Sequence, residues 1–365
     1  MQRKRVSKMI IGIMVFAVVL LLVVMVVFPP SNGKIPQFCD ENGKVIENSL
    51  AEKCYLDVED GKLGMVIMAK DMNRPVLLVC GGGPGIPEYL MENMYPSGLA
   101  DQFVVCYFDY RGTGLSYSSD IKAEEMTTEK YISDVVAVST YLKERFGQEK
   151  IYIMGHSFGT YIAIKTVQQY PDNYNAYIAM AQNCNQTESE YMAYDYMKAR
   201  YEQLGNEKMV EKFEDCLIRE SEEMYNKYFS SSLRDTAMHE LGVGTTRNMN
   251  SVITGIFFPS LRCKAYTWEE RFNIWRGKAG SREFPVVQDS THFDAFSEVP
   301  SLQIPIYFFA GKYDYTCSFD LQHEYYEQID APQKEFYVFE NSAHSPIFEE
   351  PGKAAELFEE ILKTE

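Results

Sequence analysis

Short apolar runs punctuate the chain at residues 63–69, 75–80, 103–109, 151–154, 177–181, 304–310 and 335–339. They are rich in β-branched and aromatic residues, so they read as buried strands. Between them the periodicity changes. Thr128–Phe146 places Ile132, Val135, Val136, Leu142 and Phe146 on one helical face, and Gly147 follows as a stop. Residues 351–363 repeat the pattern with Leu357, Phe358, Ile361 and Leu362. Strands alternating with helices predict an α/β fold, a mostly parallel central sheet with helices on both faces. Chemistry on such a sheet belongs at the carboxyl ends of its strands. The alternation breaks over residues 183–299. That stretch is full of Tyr, Met and Glu, reads as helices, and is interrupted at Gly205, Gly242, Gly255 and Pro259. It is expected to be a helical cap over a core formed by 49–182 and 300–365. A separate helical domain with no part in the site is the alternative.

The N-terminus differs in kind. Residues 9–28 carry no charge, and Arg3, Lys4, Arg5 and Lys8 precede them. Twenty uncharged residues match the thickness of a bilayer. A cleaved secretory signal would need a small-x-small site, and Val26-Val27-Phe28-Pro29-Pro30 offers none. The expectation is a signal anchor: residues 1–8 a cytoplasmic basic flank, 9–28 the transmembrane helix, 29–48 a tether, and the remainder outside the cell membrane.

Charge and cysteine usage narrow the partners. The chain has a net charge of −17, and beyond the anchor 31 basic residues face 52 acidic ones. Such a surface repels phosphate backbones and stands off an anionic membrane, so nucleic acid is excluded as a partner. Eight cysteines in 365 residues are too sparse for a disulfide scaffold. Cys80 and Cys106 fall in strand-like runs and read as buried thiols. Cys39 and Cys54 are placed to pair only in an oxidising compartment. The five histidines include no H-x-x-x-H, and no C-x-x-C occurs. Neither a metal nor another cofactor is expected.

The candidate chemistry lies at predicted strand ends. Gly155-His156-Ser157-Phe158-Gly159 has the form G-x-S-x-G, with a strand before it and a helix after it. A turn that sharp pushes the serine toward φ > 0, lifts its hydroxyl above the sheet and sets the Phe158 N–H beside it. A serine that only caps the helix is the plainer reading. Gly81-Gly82-Gly83-Pro84-Gly85 follows another strand. Its bare backbone suits an oxyanion hole together with Phe158. It lacks the Lys-Ser/Thr ending of a phosphate-binding loop. Asp314 and His344 follow the last two strands. A neutral serine needs a base, and the base needs an acceptor to fix its tautomer. The chain order Ser157, Asp314, His344 satisfies both needs.

These residues resemble an α/β-hydrolase of the proline iminopeptidase-like group, over residues 50–362. The group's His-Gly-Gly-Pro-Gly loop stands here as Gly81-Gly82-Gly83-Pro84-Gly85. Its D-x-R-G-x-G-x-S element stands as Asp109-Tyr110-Arg111-Gly112-Thr113-Gly114-Leu115-Ser116. The resemblance implies a triad of Ser157, Asp314 and His344, oxyanion donors at Gly83 and Phe158, and a loop-ordering role for Asp109 and Arg111. It implies acidic cap residues that hold a substrate amine. Of Glu188, Glu190, Glu269 and Glu270, the pair Glu269 and Glu270 beside Trp268 is preferred, against the reading of a solvated helix face. The group's loop histidine is Gly81 here, which loosens the link to peptidase activity. The implied substrate is the N-terminal residue of a short peptide. A small carboxylic ester is the runner-up, and a ligand-binding scaffold without turnover is a third reading.

Overall fold

A computed structural model describes residues 2–364. Eight strands form one sheet: β1 (Leu50–Val58), β2 (Gly61–Ala69), β3 (Val76–Cys80), β4 (Val104–Phe108), β5 (Ile151–His156), β6 (Tyr174–Met180), β7 (Ile306–Gly311) and β8 (Lys334–Phe339), in the order β1-β2-β4-β3-β5-β6-β7-β8. β1, β2 and β4 pair antiparallel, and every pair from β4 to β8 is parallel. The sheet is therefore mixed but mostly parallel, with helices on both faces.

The alternation of side chains along β3 shows why its sequence is apolar throughout. Val76, Leu78 and Cys80 enter one hydrophobic cluster, while Leu77 and Val79 enter the other. A strand covered on both faces has no polar side to show. The first cluster takes Tyr131, Val135, Val138 and Leu142 from α3 (Thr128–Phe146). The second takes Phe358 and Ile361 from the helix Pro351–Thr364. Gly147 ends α3 at φ 64°, a left-handed C-cap. β1 is the strand that hydropathy does not mark. It is an edge strand that pairs only with β2, and its exposed side carries Tyr55 and Asp57 rather than an apolar run.

Between β6 and β7 the chain is helical, beginning with the helix Gln186–Gln203, and that stretch makes no strand. It rests on the loops that follow β7 and β8. Tyr315 N donates to Val243 O at 3.3 Å, His344 N to Gly244 O at 3.3 Å, and Ser318 N to Ser189 Oγ at 3.1 Å. A third cluster, centred on Tyr194, Met197, Phe213 and Tyr228, gives the insertion its own core.

The first helix, α1, spans Gln2–Val27, and its stretch Met9–Val26 has a mean hydropathy of 3.3. It is long and apolar enough to cross a membrane, and Met9, Phe16 and Leu22 among others are exposed along it. The side chains of the basic flank, Arg3, Lys4, Arg5 and Lys8, lie outside the described residues. Of residues 29–48, expected as a tether, Ile35 is buried and Gln37 Nε2 donates to Ala51 O at 2.7 Å, while Cys39 bridges Val45 within the stretch. All eight cysteines are free thiols, Cys39 and Cys54 included.

The loop after β4 is fixed by buried charge. Arg111 holds Asp134 through two hydrogen bonds, at 2.7 and 3.1 Å, with both side chains 4% exposed, and its Nη1 donates to Asp60 O at 2.9 Å. Asp109 accepts the Leu115 N–H at 2.7 Å, and burial raises its pKa to about 7. Removing one partner of such a pair strands the other charge in the interior. Arg111→Ala is expected to cost about 3 kcal/mol or more of unfolding free energy. Urea denaturation of the detergent-solubilised chain reads this directly, and a loss below about 1 kcal/mol would show the pair to be incidental.

Candidate active site

Ser157 sits between β5 and the helix Phe158–Gln169 (α4) with φ 55° and ψ −121°, a left-handed backbone that a non-glycine residue rarely adopts. Close packing enforces the turn. A Cβ on Gly159 would stand 1.9 Å from the Cys80 carbonyl oxygen, so α4 presses against the end of β3 only because that position has no side chain. Ser157 N donates to Met180 O at 3.1 Å, and Ser157 O accepts from Thr160 N at 2.8 Å. Backbone strain of this kind costs about 1–3 kcal/mol and persists only where its surroundings over-determine it.

Asp314 and His344 meet. His344 Nδ1 lies 3.0 Å from both carboxylate oxygens of Asp314, with the carboxylate fully buried and the imidazole nearly so. Asp314 Oδ1 also accepts the N–H groups of Thr316 at 2.9 Å and Cys317 at 3.0 Å. The acid is thus held rigid, and its contact with Nδ1 leaves Nε2 as the basic nitrogen of His344. The Cys317 thiol is buried, and burial raises its pKa well above the ordinary value.

The glycine loop lies beside the serine. A Cβ on Gly82 would stand 3.2 Å from Ser157 Cβ. The Gly82 N–H is already taken, by Glu88 Oε2 at 3.1 Å. Phe158 opens α4, so its N–H has no acceptor within the helix. Lys278 Nζ donates to the carbonyls of Gly83 and of Pro84, the latter at 3.1 Å. Burial, with the Arg282 charge nearby, lowers the Lys278 pKa to about 8.

A buried pair escapes sequence reasoning altogether. Glu88, in the helix Glu88–Met94 (α2), accepts from His156 Nδ1 at 2.8 Å, while His156 Nε2 donates to the backbone carbonyl of His344 at 2.9 Å. With Glu88 ionised, both ring nitrogens face acceptors, an arrangement that the doubly protonated imidazolium satisfies on both sides. Burial alone would lower the His156 pKa, but the Glu88 carboxylate and the His344 carbonyl outweigh it and hold it above 6.5. His156 stands inside the elbow motif, yet nothing in the sequence links it to Glu88, 68 positions away.

Glu270 completes a capping box with Thr267 and pairs with Lys53 at 2.7 Å, and Glu269 is exposed beside it. The buried carboxylate of the insertion is Glu190, fully inaccessible, which accepts from Arg234 Nε at 2.7 Å and from Gln186 Nε2 at 3.0 Å. Gln186 Oε1 in turn lies 3.7 Å from the Cys317 sulfur. Among the described residues no cluster of His, Cys, Asp and Glu could hold a metal ion.

The strained serine between β5 and α4, the acid after β7 and the histidine after β8 define an α/β-hydrolase architecture. Residues 75–351 match the alpha/beta hydrolase fold family, and the chain belongs to it. It is related to the proline iminopeptidase-like group of serine hydrolases. The chain is 29% identical to a probable aminopeptidase, YbaC, of Bacillus subtilis (strain 168), over 84% of this chain and 94% of that one. It is 20% identical to a proline iminopeptidase of Heyndrickxia coagulans, over 85% and 98%. Among solved structures, a proline iminopeptidase of Mycobacterium smegmatis superposes with a TM-score of 0.64 at 17% identity, covering 86% of this chain and 98% of that one.

The charge on His156 sets a pH test. Its pKa is raised in the folded state, so the stability it contributes is fully present below about pH 6.5 and is lost as the pH rises through the folded value. Glu88→Gln keeps the shape and removes the carboxylate. The stability difference between wild type and this variant is expected to be largest near pH 6 and to shrink toward about pH 9. A difference that stays constant in urea titrations across that range would mean that His156 is neutral.

Proposed function

We propose that this chain is a membrane-anchored serine hydrolase that cleaves an ester or amide bond through Ser157, His344 and Asp314. The observation that carries the reading is the His344–Asp314 contact at 3.0 Å, with a serine at positive φ next to His156, whose ring lies 2.9 Å from the His344 carbonyl. Ser157 Oγ attacks the carbonyl carbon while His344 Nε2 accepts its proton. Asp314 keeps the Nδ1 proton and stabilises the imidazolium that forms. The N–H groups of Phe158 and Gly83 receive the oxyanion. The imidazolium then protonates the leaving group. Water, deprotonated by His344, releases the acyl group and regenerates the serine. No metal or other cofactor takes part.

The helical stretch 183–299 acts as a cap, bracing the Asp314 and His344 loops through Val243, Gly244 and Ser189. α1 anchors the protein in the cell membrane, with its basic flank in the cytoplasm and the catalytic body outside. The leading substrate is the N-terminal residue of a short peptide, the activity that the names of the Bacillus and Heyndrickxia relatives give those proteins. A specific observation favours the second reading, a small carboxylic ester. Glu190 is the fully buried carboxylate of the cap, and Arg234 already neutralises it. A site whose carboxylate is spoken for attracts a free amine less strongly than one whose carboxylate is open.

A panel of aminoacyl anilides and short-chain p-nitrophenyl esters, offered to the full chain in detergent, separates the two. Ser157→Ala is expected to abolish covalent labelling by a fluorophosphonate and to leave at most about 10³–10⁴-fold acceleration over water. His344→Ala should cost a comparable factor, and the double variant little more than either. Losses that add, or labelling that persists in Ser157→Ala, would place the nucleophile elsewhere. Absence of both labelling and turnover in the wild type would leave a ligand-binding scaffold.

A further inference from the structure

The end of α1 is fastened to the body with no free linker. Phe28 follows the last helical residue, Val27, and its ring lies 5.9 Å from that of Trp268. Arg271 Nη1 donates to Pro29 O at 2.7 Å, and the Ser31 hydroxyl donates to Lys264 O. From Trp268 an aromatic stripe continues along the helix Trp268–Gly280. Trp268, Phe272 and Trp275 occupy positions i, i+4 and i+7, which share one helical face. The Trp268 and Phe272 rings are 6.4 Å apart, Trp275 meets Phe257 at 4.8 Å, and Phe257 meets Phe258 at 5.3 Å. Phe272 is 54% exposed, Phe258 45% and the neighbouring Ile253 60%. The chain's two tryptophans both lie in this stripe.

We propose that this aromatic face rests in the headgroup region of the bilayer that α1 crosses, so that the catalytic body lies on the membrane rather than hanging from it. The inference rests on the anchor reading above. The occupant follows from continuity. A helix that leaves the hydrocarbon at Val27 brings Trp268 to the interface one residue later, because Phe28 touches it. Tryptophan and other amphipathic aromatics settle at headgroup level, and exposed Phe and Ile reach the acyl boundary beneath. Charge agrees. Between residues 253 and 280 the exposed charged side chains are Arg262, Lys264 and Arg276 against Glu269, in a chain of net charge −17, so the acidic body is locally cationic where it would meet anionic lipid.

The tryptophans make the test direct. The full chain is reconstituted into phosphatidylcholine–phosphatidylglycerol vesicles, and its flotation reports the anchor by itself. Vesicles carrying a nitroxide on the lipid near the headgroup are then expected to quench the intrinsic fluorescence about twofold. Trp268→Phe and Trp275→Phe, made singly, assign the signal. Phe272→Asp should reduce the quenching while leaving flotation and turnover of a small soluble substrate unchanged. A chain that does not float overturns the anchor reading and this inference with it. A chain that floats with tryptophans untouched by the lipid nitroxide, yet quenched by aqueous acrylamide as in detergent, overturns the inference and leaves the anchor standing. Tryptophans shielded from both quenchers would mean that protein, such as a second copy of this chain, covers the face, and would overturn it equally.

Discussion

The His156 side chain joins three loops that would otherwise be independent. Through Glu88 it reaches the glycine loop, since the same carboxylate accepts the Gly82 N–H. Through its other nitrogen it reaches the backbone of His344. Its own backbone is the last residue of β5, one position before the serine. Strand ends in a parallel sheet are close in space but carry loops free to move by an ångström or more, and acyl transfer tolerates far less. A buried histidine bonded on both sides fixes their spacing. Burial disfavours its charged form, and the Glu88 carboxylate offsets that cost. Ionic hydrogen bonds hold direction as well as distance, which is what a nucleophile, a base and an oxyanion hole require of one another.

The sequence made the sheet and the strained turn legible because both have local signatures. β3 to β8 are short apolar runs, and Thr128–Phe146 announces its own end at Gly147. The serine, acid and histidine follow strands, so strand assignment placed them near one edge. β1 stayed hidden because an edge strand needs only one apolar side. What the sequence did not carry is pairing at a distance. Glu88 with His156, Glu190 with Arg234, and Lys278 with the Gly83 and Pro84 carbonyls each join residues far apart in the chain. Glu270 shows the local side: Thr267 before it makes the pair Glu269-Glu270 the start of a helix.

The Glu190–Arg234 pair reaches the loop that follows β7. Gln186 bridges Glu190 to the Cys317 thiol, and the Cys317 N–H donates to Asp314. The helical stretch is therefore joined by hydrogen bonds to that loop rather than merely stacked above it. Burial raises the Cys317 pKa, which keeps this thiol a poor nucleophile.

The helix Trp268–Gly280 ties the glycine loop to the end of α1. Its first turn holds Trp268, against Phe28, and its last turn holds Lys278, against the carbonyls of Gly83 and Pro84. Ten residues of helix separate them, about 15 Å of rise. A rigid rod of that length, fixed at both ends, sets the distance of the glycine loop from the end of α1. A flexible tether would let the body tumble and present its site in any direction. With Pro29, Ser31 and Gly33 packed on Arg271, Lys264 and Thr267, that freedom is gone. With the proposed anchor in place, the net charge of −17 would act as an orienting force, because anionic lipid repels an acidic body more than the basic rim of Arg262, Lys264 and Arg276 near the end of α1. Position along one helix thereby links the end of α1 to the glycine loop beside Ser157.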